Sequence, residues 1–219
     1  MKIPATAVLL CLVLASPAHA LSMRVFHTPL AASRNGQAAL FLVSTIGPEG
    51  GGSIEFLLVT LKQQSRYMVS SNFSPGGSSH PQNIEESKCR IAVSRLQAAL
   101  RQAGIVDVAS HPDKCHGHAR EQAIYVSEKS AGITPLSLDY QQRISSTPVL
   151  VARGNDLVLH EGEGTTTLPF TMPKAKSSEV RAFLFRGDRI LAVVTSDGLS
   201  ETLRLFQRPR VGDGFQSLP

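Results

Sequence analysis

The chain has 219 residues, enough for one domain with a real core or two very small ones. Its 22 Lys and Arg against 17 Asp and Glu give a mild net charge of +5. Arginines such as Arg95, Arg101, Arg143, Arg181, Arg204 and Arg208 are scattered, and there is no tryptophan. The dense basic stripe with interleaved aromatics that marks a nucleic-acid binder is therefore excluded.

Residues 1–20 read as a secretory signal peptide. Lys2 gives a positive start, residues 5–15 an apolar run, and Pro17 a break before the small-x-small site Ala18-His19-Ala20. The run is shorter than the roughly 20 apolar residues that a membrane-spanning helix needs, so cleavage after Ala20 is expected. Acylation at Cys11 is rejected, because Leu10 stands where a lipoprotein signal needs a small residue. No later segment approaches a membrane span. The expected location is the periplasm or the exterior of a bacterial cell. Loss of Lys2 with the signal leaves a net charge of about +4.

The mature chain keeps two of the three cysteines, Cys89 and Cys115. In an oxidising compartment an even pair reads as a disulfide. Two buried free thiols, or a metal or redox role for Cys115, are the alternatives.

In chain order, residues 23–27 form a first strand and Ser33-Arg34-Asn35-Gly36 a turn. Residues 40–46 and 54–61 are the strongest strands, rich in β-branched and aromatic side chains. The turn residues 47–53 between them make a hairpin. A strand over 67–72 follows, then a loop over 74–81. Residues 84–103 carry Ile84, Cys89, Ala92, Val93, Leu96, Ala99, Leu100 and Ala103 at helical spacing. Asn83 with Glu86 has the form of a capping box, and Gly104 is a natural stop. After a polar loop over 111–120, strands are expected at 123–127, 136–141, 149–152, 157–160 and 165–171. A meander over 180–185, 190–196 and 202–207 closes the domain. The expected fold is α+β, mainly antiparallel β-sheet in hairpins and meanders, with one long amphipathic helix packed on it. The signal peptide covers 1–20, a single domain 21–208 and a flexible C-terminal tail 209–219.

Residues 33–44 echo residues 185–196. Each has a Gly-containing turn, an apolar strand, a second loop and another strand. The unit is similar to a β-propeller blade of the type S-x-D-G-x-x-x-A-F, although two copies are too few and the chain too short for a propeller. The order of parts also resembles a family of predicted secreted bacterial proteins of unknown function. The matching pieces are residues 33–41, 96–105 and 191–196, with Arg34 and Asn35 where Pro and Asp are usual. The resemblance implies export and carries no activity.

Reactive side chains crowd together at residues 111–118, His-Pro-Asp-Lys-Cys-His-Gly-His. His111, Cys115, His116 and His118, with Asp113, are weak candidates for zinc or copper ligands. No second ligand pair is visible, and a bridged Cys115 cannot be a thiolate. A solvated loop stapled through Cys89 and Cys115 is the preferred reading. His160-Glu161-Gly-Glu163 reads as an exposed turn. The loop over 47–53 has neither the Gly-Lys-Ser/Thr ending nor the following helix of a phosphate loop. No hydrolase elbow, zinc-protease motif or cofactor motif occurs. The leading expectation is therefore a non-enzymatic exported protein that binds or scaffolds an envelope protein partner. A small metal-binding protein using the 111–118 loop, and a hydrolase whose site is assembled from distant residues, are the alternatives. Nothing in the sequence sets the oligomeric state.

Overall fold

The structure, a computed structural model, describes residues 23–47, 51–71, 82–116, 123–126, 132–139, 147–162, 164–171 and 179–218. Residues 1–20, expected as a signal peptide, therefore lie outside the described residues. Four strands open the fold: β1 (Arg24–Ala32), β2 (Ala38–Ile46), β3 (Gly52–Thr60) and β4 (Gln64–Ser71). They form an antiparallel meander, the first sheet, in the order β1-β2-β3-β4. A β-bulge between Pro29 and Ala31 accommodates a proline that has no N–H to donate.

Helix α1 (Gln82–Gln102) follows, with β5 (Val108–Ser110), a 3₁₀ turn (Pro112–Cys115) and β6 (Ile124–Val126) after it. The apolar stripe expected of the helix is the one buried. Cys89, Val93, Leu96 and Leu100 pack against Ala31, Ala38, Leu40, Phe56, Leu58 and Val69 of the first sheet. Asn83, expected just before the helix, lies one residue inside it. Ile105 N–H donates to the Leu100 carbonyl across Gly104, whose positive φ ends the helix as expected.

The remaining strands are β7 (Ile133–Leu136), β8 (Leu138–Asp139), β9 (Val149–Arg153), β10 (Asp156–Glu161), β11 (Gly164–Thr171), β12 (Glu179–Phe185), β13 (Ile190–Ser196), β14 (Glu201–Gln207) and β15 (Gln216–Ser217). They make two further sheets. The central one runs β15-β14-β13-β12-β7 and the third runs β11-β10-β9-β8, with β8 parallel to β9.

Three cores place these parts in layers. One lies between helix and first sheet. A second joins Ala39, Phe41, Val43, Leu57 and Val59 of the first sheet to Phe185, Ile190, Ala192 and Leu205 of the central sheet. The third joins Leu184, Leu191, Val193 and Phe206 to Leu150, Leu157, Leu159, Leu168 and Phe170 of the third sheet. The stack is helix, first sheet, central sheet, third sheet. Strands β2 and β13 are covered on both faces, which is why their sequences are nearly unbroken apolar runs rather than alternating ones. The expected class, α+β and mainly antiparallel β, is the one observed.

The two echoing segments lie in different sheets and face each other. Phe41 and Phe185 meet edge to face with centroids 5.2 Å apart. Their turns touch as well. Ser33 is buried, and its hydroxyl accepts the N–H of Gln37 and of Ala38, closing the first turn. Gly36 has φ +67, and a Cβ there would lie 2.3 Å from the Arg186 carbonyl oxygen and 2.9 Å from the Gly187 Cα. A left-handed backbone costs a side-chain residue about 1–2 kcal/mol, and overpacking adds about 1–3 kcal/mol. Gly36→Ala should thus destabilise the fold by about 2–5 kcal/mol in urea unfolding. A loss well under 1 kcal/mol would mean that the contact between the turns is not needed.

The chain beyond Arg208, expected as a flexible tail over 209–219, is instead tied back. Asp213 N–H donates to the Arg210 carbonyl, and the Asp213 carboxylate accepts the Arg210 N–H. This turn returns Phe215 to the core between the central and third sheets. Strand β15 pairs with β14, and Leu218 N–H donates to the Leu205 carbonyl. Phe215 is an apolar ring that this core buries, and the enclosed Arg208 guanidinium lies 4.6 Å from its centroid.

Candidate functional site

The loop that looked most reactive is a structural staple at its centre. Cys89 and Cys115 form a disulfide with Cα atoms 5.7 Å apart, both side chains within the helix–sheet core. Cys115 is therefore not a thiolate ligand. The backbone of His111 is engaged, its N–H donating to Ala123 and its carbonyl accepting from Lys114. Its side chain is exposed, as is Asp113. His116 faces Arg90 of the helix, Nδ1 to Nη2 3.4 Å. His118 lies outside the described residues. Among the described residues, no three His, Cys, Asp or Glu side chains gather as metal ligands.

Two polar clusters that the sequence did not single out lie between sheets. The first joins β1 to the central sheet. Val25 packs into the core between those sheets, so His27, two residues on, points the same way. The Val25 N–H donates to the Ser200 hydroxyl at 3.2 Å, and the His27 N–H to the Glu201 carboxylate at 2.6 Å. The other oxygen of Glu201 accepts from Arg181. His27 Nδ1 is buried 3.8 Å from Glu201 Oε2, too far for a hydrogen bond, and has no other partner. Burial pushes the His27 imidazole below its ordinary pKa; Glu201 opposes that, while Arg66 and Arg181 add to it. The adjoining turn is held by Asp197, whose carboxylate accepts the N–H groups of Ser200 and Leu199 and is kept below the usual carboxylate range by them.

The second cluster joins the third sheet to the central one. Arg208 is 1% exposed. It holds Glu161 bidentately, with Nη1 to Oε2 2.5 Å and Nη2 to Oε1 2.8 Å, and its Nε donates to the Asp188 carbonyl. Glu161, read from sequence as part of an exposed turn, is the counter-ion of a buried cation. Asp188 sits beside them at φ 51. Burial and then the Glu161 charge push its carboxyl up, partly offset by Arg208. Glu161 carried a signal, being a carboxylate at a strand end, but its partner is 47 residues away.

No known family, characterised protein or solved structure matches this chain. No helix among the described residues is long and apolar enough to cross a membrane.

One surface feature stands apart from the clusters. Among the described residues, the core between helix α1 and the outer face of the first sheet reaches Leu42 and Phe56. Two residues further along the same strands the face emerges. Phe26 lies opposite Ser44, with Ile46 its diagonal neighbour and Ile54 on the other side of Ser44. Phe26 is 37% and Ile46 46% exposed. Met23 and Leu199, also exposed, lie at the same end of the stack. Arg24 pairs with Ile46 at the rim.

Proposed function

We propose that this chain is an exported, non-enzymatic binding protein whose docking surface is the uncovered end of the first sheet around Phe26, Ile46 and Ile54. The occupant is an envelope protein that presents an apolar segment. The reading rests on the exposed side chains of Phe26 and Ile46, which share the outer face of the first sheet. Contiguous exposed apolar surface on a sheet is a mark of interaction sites. The signal-like leader and the Cys89–Cys115 bridge support an oxidising location, the periplasm or the exterior.

Cross-linking and recovery from envelope extract tests this reading when paired with variants. Phe26→Gln with Ile46→Gln should abolish recovery of a reproducible partner while changing stability by no more than about 1 kcal/mol, because both side chains are substantially exposed. Ile91→Gln with Val106→Gln, which alters exposed apolar residues away from this face, should leave recovery intact. Equal recovery by both double variants would overturn the assignment.

A further inference from the structure

We propose that His27 is a proton-operated latch: when its imidazole takes up a proton, the first half of β1 comes away from β14 and the edge of the first sheet is uncovered. The proposal supplies regulation for the docking surface above and rests on that reading for its purpose, though not for its test.

Strand β1 is an edge strand of its sheet. An edge strand presents backbone groups able to pair with another chain, and folded proteins keep such edges covered. Here the two outward N–H groups, of Val25 and His27, are capped by the side chains of Ser200 and Glu201. This cap borders the apolar surface, because Phe26 lies between the two capped residues.

The latch is built around a group whose charge would be badly placed. His27 Nδ1 is buried and makes no hydrogen bond. From β14 comes Glu201, already accepting from the His27 N–H and from Arg181. Arg181 itself comes from β12 and Arg66 from β4, and both oppose a second cation. From β3 comes Glu55, whose carboxylate is engaged by Arg66 at 3.2 Å. Val43, directly opposite His27 on β2, is apolar. A proton on His27 thus meets a carboxylate already neutralised by Arg181, two repelling guanidiniums and little water.

The sign follows from linkage. With the folded pKa below the free value of 6.5, the closed latch is fully favoured above pH 6.5. It loses stability as pH falls below that value, because the open form binds the proton more tightly. An exported protein meets external pH directly.

Amide hydrogen exchange of the disulfide-bonded protein alone tests the latch, from pH 7.5 to 5.0, with rates corrected for the intrinsic effect of pH. The Val25 and His27 amides should lose protection several-fold on acidification, on a scale where one pKa unit corresponds to about tenfold. Leu191 and Val193, at the centre of β13, should not change. His27→Gln should abolish the pH dependence. Arg181→Gln, at a partly exposed site, removes a repelling charge and should shrink it. Protection that rises on acidification would show that the proton tightens the His27–Glu201 contact, and would overturn the proposal. So would unchanged pH dependence in either variant. Because no partner takes part, failure here leaves the docking surface standing, and failure of the docking test leaves the latch standing.

Discussion

Replacing Arg208 with alanine should lower stability by about 3–5 kcal/mol, the range for breaking a buried ion pair from one side. The guanidinium is fully enclosed and serves three partners: the Glu161 carboxylate, the Asp188 carbonyl and the face of Phe215. Its loss strands all three at once. Glu161 keeps some exposure, with 23% of its side chain accessible, so water can partly re-solvate it. That places Arg208→Ala toward the lower end of the range. Glu161→Gln is the converse, leaving a buried cation without its counter-ion, and should cost at least as much. Arg208→Met combined with Glu161→Gln should recover a large part of the loss, since it removes both charges together. Urea unfolding of the four proteins at pH 7 checks this, and a single-variant loss below about 1 kcal/mol would show that the pair does not hold the sheets. Asp188 supplies a second readout. Its folded carboxyl holds a proton more readily than the unfolded one, so this group favours folding at low pH and the benefit fades as pH rises. Without Arg208, whose charge pulls that pKa down, the decline should be steeper.

Removing the Cys89–Cys115 bridge should cost about 3.5 kcal/mol, from the chain entropy regained when a loop of 26 residues is opened. For a domain of this size that is a fall in Tm of about 7–14 °C. The bridge ties the start of α1 to the 3₁₀ turn after the helix, and both sulfurs lie in the core against the first sheet. Thermal unfolding of Cys89→Ala with Cys115→Ala, and of reduced wild type, each against the disulfide-bonded protein, checks the figure. An unchanged transition after complete reduction would mean that apolar packing alone holds this loop.

Much of the architecture is written in local pattern. A 3-4 apolar spacing marked α1, and short β-branched runs between turn residues marked β2, β3, β10, β11 and β13 within one or two residues of their observed ends. The even cysteine count left once residues 1–20 are read as a cleaved signal pointed to the bridge that is present. These features depend on neighbours a few residues apart, so hydrophobic period and turn chemistry suffice to find them. Even the stacking left a trace, since the unbroken apolar runs of residues 38–43 and 190–194 are those of strands covered on both faces.

The rest was decided by tertiary structure, because it depends on residues far apart in the chain. His27 and Glu201 are 174 positions apart and Glu161 and Arg208 are 47 apart; no spacing rule connects them. In sequence, Arg181 and Arg208 looked like two more scattered cations. Arg181, partly exposed, anchors the buried Glu201, and the fully buried Arg208 ties two sheets together. A buried charge is stable only beside partners that offset its desolvation, and those partners are set by sheet stacking. The tail beyond residue 208 looked polar and loose until the stack supplied a groove for Phe215. The sequence by itself determined the elements, the class and the cysteine pair. Which sheets face each other and which charges meet between them were settled by long-range packing.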